Sequence, residues 1–340
     1  MRKPSLIAAL LVTGLIFVAT AASALAAYAP TLTGSQNGAK TTIHVTSAKT
    51  DDSTAAIHIL SPLPATLNQA PGTTIGTVTA SINARAISPD AIIPLTGNVV
   101  VADPTKYTTP TDVACSQAPV NQAVWNLVLT AAGQTLNVPV YVDPAPASLA
   151  ALGVKTVLAT CLASPDVGAA CAATLCAKLL DVNFTVSGVF SAGSSPTWIS
   201  EFTPYTPGTA NANVAGTVTA LGLDVKPVVT LAAKPGKGKA VIAGKLTIAG
   251  VPLPGAPVTL FDGTKKLGVA KTTSAGSYVF TAKLKKGAHT LRGAVASDEV
   301  NAGTQGCAAI PAGTPGLGPC VSSAIPAFAV ASKAVKVKVT

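Results

Sequence analysis

Ser277-Tyr278-Val279-Phe280-Thr281-Ala282-Lys283-Leu284 decides how this chain folds. Tyr278, Phe280, Ala282 and Leu284 fall in phase at a period of two, with Thr281 and Lys283 among the residues between them. A helix would scatter those four positions around its axis, whereas a strand puts them on one face. The same alternation closes the chain, where Val335, Val337 and Val339 stand against outward Lys336 and Lys338. Ile242, Leu246 and Ile248 repeat it upstream.

Outward from residues 277–284 the spacing predicts seven strands, at 228–231, 239–249, 257–261, 267–272, 277–284, 288–295 and 328–339. Asp262-Gly263 and Lys286-Gly287 supply turns between them. Seven short strands with turn signals between them match an immunoglobulin-like sandwich of two sheets. The first half carries more strands with one wet side: Ile43 and Val45, Ile57 and Ile59 flanking His58, Trp125 with Leu127 and Leu129, and Leu136 with Val138, Val140 and Val142. Val182, Phe184 and Val186 share a face, residues 197–203 carry Trp198 and Phe202, and 214–221 is a further strand. Residues 147–162 are the one place where a short helix competes, and are expected as loop and strand. Composition agrees, with 29 Gly, 26 Pro and Glu at only two positions, Glu201 and Glu299. Such a chain favours short strands and turns over helices. The expected fold class is therefore all-β, a β-sandwich-like region at 27–225 followed by the seven-stranded sandwich at 226–340. Lys226-Pro227 marks the boundary, because the charge balance flips there and Pro interrupts a strand.

Three segments of the second half carry a family resemblance. Gly244-Lys245-Leu246-Thr247, Gly250-Val251-Pro252-Leu253-Pro254-Gly255-Ala256-Pro257-Val258-Thr259-Leu260 and Thr272-Thr273-Ser274-Ala275-Gly276-Ser277-Tyr278-Val279-Phe280 together resemble the bacterial Ig-like and carboxypeptidase-regulatory-like modules. The resemblance covers 226–297 and the final strand, and implies a stalk, spacer, adhesive or accessory role. Residues 297–323 depart from the simple module as a Gly/Pro-rich insertion, expected as a surface loop held by Cys307 and Cys320. Upstream, Phe202-Thr203-Pro204-Tyr205-Thr206-Pro207 resembles a segment of uncharacterised secreted bacterial proteins and implies no activity.

Residues 1–26 read as a secretory signal peptide. Arg2 and Lys3 form its basic start, residues 6–20 its apolar run, and Ala24-Leu25-Ala26 the small-residue pattern before cleavage. The expected location is secreted or at the cell surface, with no membrane span once the signal is removed. An oxidising compartment suits the six cysteines, Cys115, Cys161, Cys171, Cys176, Cys307 and Cys320. Six cysteines allow fifteen pairings. Closeness along the chain favours Cys307 with Cys320 and Cys171 with Cys176, leaving Cys115 with Cys161. Closing the loop between Cys307 and Cys320 would contribute on the order of 3 kcal/mol in the chain-entropy view.

Charge is distributed unevenly. Between Tyr28 and Val225 six basic residues face ten acidic ones, whereas from Lys226 onward fifteen face three. That asymmetry points the second half toward anionic cell-surface polymers or polysaccharide, with Lys283, Lys336 and Lys338 at outward strand positions. Solubility and protection of strand edges would use the same lysines. No nucleic-acid partner is expected.

Catalytic chemistry finds little to work with. A Gly-x-Ser-x-Gly turn is missing, Lys234-Pro235-Gly236-Lys237-Gly238-Lys239 lacks the first glycine of a phosphate loop and reads as a basic hairpin, and Asp90, Asp103, Asp143, Asp166 and Asp262 sit in turns. There are three histidines. His44 and His58 would meet if their strands formed a hairpin around Asp51-Asp52, and could then share a zinc ion with a third ligand. Surface histidines without a shared site are commoner. His289 is expected at a core edge, on the face of Leu291. No metal or cofactor is expected, and the chain reads as a non-enzymatic structural or adhesive protein. The alternative is a carbohydrate-binding module that would use Trp125, Trp198 or Tyr205. Aromatics make up only 4% of the chain and both Trp lie in phase with apolar neighbours, which favours the core for them.

Overall fold

The computed structural model describes residues 28–340 apart from 132, 169–170, 172–175, 194, 249–250, 311–313 and 315–316. The expected signal peptide and its cleavage point lie outside the described residues. The chain is all-β. Its first part contributes β1 (Thr31–Asn37), β2 (Lys40–Thr46), β3 (Thr54–Ser61), β4 (Thr74–Ala84), β5 (Ile92–Ala102), helix α1 (Pro110–Ser116), β6 (Ala123–Ala131), β7 (Gln134–Pro144), β8 (Thr156–Cys161), β9 (Ala177–Ser187), β10 (Thr197–Pro204) and β11 (Val218–Leu223). Then follow β12 (Val228–Val229), β13 (Ala232–Gly236), β14 (Lys239–Ile248), β15 (Val251–Pro252), β16 (Pro257–Asp262), β17 (Lys265–Lys271), β18 (Ser277–Lys283), β19 (Gly287–Ser297), β20 (Val300–Gly303), β21 (Cys320–Ile325), β22 (Phe328–Ala331) and β23 (Val335–Val339). Residues 147–162 fold as a 3-10 turn, Ala147–Leu152, followed by β8. The strand expected at 214–221 begins with another such turn, Val214–Gly216, before β11.

The first eleven strands form one sheet in the order β1-β2-β9-β4-β5-β6-β7-β8-β3-β10-β11, extended by β21 and β20. The sheet rolls until β1 lies across β11 and β21. Two glycines permit that approach. A Cβ on Gly34 would stand 2.2 Å from Cδ2 of Trp198, and one on Gly222 only 3.0 Å from the Gly34 amide nitrogen. Inside the roll the inward residues of opposite walls bury one another, with Leu32, Ile43, Val99, Trp125, Val186 and Trp198 all within 1% of complete burial. Trp125, Phe190 and Trp198 stack edge to face at centroid distances of 5.8 and 6.2 Å and fill one part of this interior.

The second core belongs to two smaller sheets. One joins β12, β13, β15 and β18 around β14, and the other runs β17-β16-β19-β22 with β23 also on β19. Ile242, Leu246, Leu260 and Leu291 are fully buried between them. Tyr278 is 1% exposed, and its hydroxyl donates to the Thr230 carbonyl at 2.6 Å, which satisfies the polar tip of an otherwise apolar plug.

The insertion at 297–323 departs from its expected role as a surface loop. Its β21 pairs in parallel with β11, and β20 pairs with β21, so the segment extends the large sheet of the first half. The reason is the open edge of β11, whose unpaired backbone groups the returning strand covers. Ser322, Ser323, Ala324 and Ile325 are buried by it. The second half as delimited at Lys226 therefore contributes to both cores.

Candidate functional site

Three backbone junctions gather one end of the second-half sandwich. The Gly238 amide donates to a main-chain oxygen of Thr340, the Leu284 amide donates to the Gly238 carbonyl, and Ala288 lies opposite Lys338 in the β19–β23 ladder. Lys237, Lys239, Lys283, Lys285, Lys286 and Lys338 each lie within two residues of these junctions, and all six are exposed. Local sequence explains the arrangement. Lys237-Gly238 is the two-residue turn between β13 and β14, with Gly238 at φ 67°, and residues 284–286 form the turn from β18 to β19.

Lys239 stands directly opposite Lys283 across the β14–β18 pair. Like charges in that position cost stability, and among the described residues neither lysine forms an ion pair. Among the described residues none of the fifteen basic side chains from Lys226 onward forms an ion pair with a carboxylate. The three acids of this half include two already engaged. Asp262 accepts from His289 Nδ1 at 2.6 Å and from the Thr290 amide, and Glu299 reaches back to the first half. Burial alone would raise the Asp262 carboxyl, but the bonds from His289 and Thr290 outweigh it and hold the carboxyl below its ordinary value. His289 is raised by that Asp262 bond and by a second bond from Nε2 to the Lys285 carbonyl.

Of the three lysines singled out from sequence, Lys283 and Lys338 come together at this end. Lys336 lies one outward position further along β23, opposite Thr290 on the outer face of the other sheet. Arg292, on that face too, lies over the Phe261 ring at 5.4 Å. Lys237, Lys285 and Lys286 could have been found as lysines beside turn glycines. Their meeting with Lys338 could not, since it depends on how the terminal strand docks.

The other singled-out residues have structural partners. The structure joins Cys115 to Cys161, Cys171 to Cys176 and Cys307 to Cys320. His44 and His58 do not meet: β2 and β3 are not a hairpin, because β1 and β9 flank β2 while β8 and β10 flank β3. His44 is held between Asp181 and Glu299, each 2.6 Å from a ring nitrogen, and these bonds raise its pKa to about 9. Burial lowers His58, which donates from Nε2 to the Cys115 carbonyl at 2.9 Å. Beside it in the β3–β10 ladder sits Glu201, pushed up to about 7 by burial, without a hydrogen-bond partner among the described residues. Trp125 and Trp198 are buried, and Tyr205 is half-buried with its hydroxyl donating to the Leu162 carbonyl at 2.6 Å.

No family model matches this chain, and no curated protein does. Among solved structures it is similar to the T6 backbone pilin of serotype M6 Streptococcus pyogenes at 8% identity and a TM-score of 0.25, covering 92% of this chain and 67% of the pilin. A protein of Corynebacterium diphtheriae described as membrane anchored aligns at 8% identity and a TM-score of 0.19, over 90% of this chain and 53% of its own. At these scores neither likeness transfers a fold or a role. No helix among the described residues is long and apolar enough to cross a membrane.

Proposed function

We propose that this chain is a secreted, non-enzymatic surface protein, structural or adhesive, which attaches to anionic surface polymers through the lysine-rich end of its second-half sandwich. The observation that carries this is the gathering of six exposed lysines around three backbone junctions, with no Asp or Glu side chain among the described residues paired to any of them. Unneutralised like charges attract a polyanion and release its counterions, and the interaction weakens with salt. The three disulfides suit an oxidising compartment. Each histidine already has a bonding role within the fold. The carbohydrate alternative loses two of its three aromatics, because both indoles are buried.

Retention of the intact protein on immobilised polyphosphate tests the proposal. Wild type should be retained near physiological ionic strength, where the Debye length is about 8 Å, and released as salt approaches about 1 M. Replacing Lys237, Lys239, Lys283 and Lys285 by Gln should shift elution to clearly lower salt. Replacing Lys226, Lys245, Lys271 and Lys333 removes the same charge elsewhere and should shift it much less. Equal shifts for the two variants would reduce the effect to net charge and overturn the assignment.

A further inference from the structure

The two regions of the rolled sheet's interior are filled differently. Around Trp125, Phe190 and Trp198 three large rings occupy the space between the walls. Elsewhere the interior holds a cavity of about 280 Å³. Its walls come from β2, β9, β4, β5, β6, β7, β8 and β3, eight successive neighbours of the sheet, through residues such as Ile57, Leu95, Leu129, Val138, Leu158 and Leu179. Protein interiors pack so closely that voids larger than a water molecule are few. Leu136 and Ala163 belong to the lining and are exposed, so the cavity reaches the surface beside them.

We propose that this cavity is a binding site for one single-chain aliphatic amphiphile. The chemistry of the wall selects the ligand class. Polar side chains are confined to Asn137 and Thr160 among the lining residues, and Thr160 donates its hydroxyl to the Pro139 carbonyl at 2.9 Å. Among the described lining residues none is charged, and Asn137 and Thr160 are the polar ones, so recognition rests on burial of hydrocarbon. Phe184 is the only aromatic ring among the described lining residues, which leaves no pair of aromatic faces to sandwich a planar ligand. An apolar cavity of about 150 Å³ already stays dry and takes up a small hydrocarbon. Scaled from the six-carbon ring that a cavity of about 150 Å³ takes up, the space here accepts about eleven carbons of one chain. The head group remains at the opening beside Leu136 and Ala163. Sheet rolls commonly hold ligands in such mouths.

Isothermal titration of the purified protein with saturated fatty acids and with 1-decanol tests this. Decanoate should bind with a stoichiometry of one and a negative heat-capacity change. Affinity should rise about fourfold per methylene from hexanoate to decanoate, the value expected for burying one CH₂ group, and level off beyond the cavity's length. The heads should matter little, so 1-decanol should bind within about tenfold of decanoate. Val138→Phe and Leu129→Phe would each fill the space and should lower decanoate affinity at least tenfold in protein that retains its thermal transition. If both variants fail to fold, the chain-length series on wild type decides. Absence of binding, a stoichiometry well above one, or equal affinity for hexanoate and decanoate would overturn the proposal. Phosphatidylcholine vesicles should not be bound, and vesicle binding matching that of decanoate would assign the effect to a lipid surface and overturn it too.

Discussion

His44 couples the returning segment of the second half to the first sheet, and its protonation should be measurable in stability. The ring is 21% exposed, with Asp181 and Glu299 2.6 Å from its two nitrogens. Thr33, opposite His44 on β1, also donates to Glu299, and Asn183 lies opposite on β9. Only the doubly protonated ring can donate to both carboxylates, which is why its pKa rises from 6.5 to about 9. At ~1.4 kcal/mol per pK unit that rise sets a ceiling of about 3.5 kcal/mol. Asp181 and Glu299 are 38% and 27% exposed, so solvent screening reduces the expected contribution to about 1–2 kcal/mol. Because the folded value lies above the unfolded one, the stabilisation is complete below pH 6.5 and is lost as the pH rises through about 9. Urea unfolding of wild type and His44→Asn at pH 6 and pH 10 isolates this group, since other titrations are shared by the two proteins. The variant should be less stable by about 1–2 kcal/mol at pH 6, and the difference should shrink toward zero at pH 10. An equal deficit at both pH values would show that the ring acts by packing and would refute the ionic account.

Glu201 should behave in the opposite sense. Burial raises its carboxyl from 4.5 to about 7, so the folded state holds the proton more tightly and stability falls as pH rises across that interval. Glu201→Gln should therefore stabilise the protein at pH 8 by about 1–2 kcal/mol and change little at pH 4, checked by denaturant titration; destabilisation at pH 8 would reveal a missing partner for the carboxylate. Gly34→Ala should destabilise by about 1–3 kcal/mol, because its Cβ would fall 2.2 Å from the Trp198 ring. Gly236→Ala, whose Cβ would meet nothing closer than 3.5 Å, is the control in the same calorimetric melt, and equal transitions for the two would refute close packing of β1 on Trp198.

Alternation identified β2, β3, β6, β7 and β9 with most of their buried faces, although Leu136 is exposed, whereas β1, β4, β5, β13, β20 and β21 were not read from the sequence. Trp125 and Trp198 follow their apolar neighbours into the core as their phase requires, and the turns at Gly238 and Gly263 lie between paired strands. Helix α1 was not expected, since 147–162 stood as the one place for a short helix and no apolar repeat announces residues 110–116; its signal lies in its cap. Thr109 caps it and exchanges bonds with Asp112, while Pro110 opens the first turn, which is a signature in four residues. The lysine excess after Lys226 was evident by count; its concentration at one end was not.

Which strands become neighbours was decided only in three dimensions. A period of two states which side of a strand is buried and leaves open which of many similar strands covers its edges. Thus β9 enters between β2 and β4, β21 returns to β11, and His44 finds partners 137 and 255 residues away. The cavity has the same origin. It is the volume left when eight strands close around side chains of particular sizes, a sum over distant residues to which no single segment of sequence holds the answer.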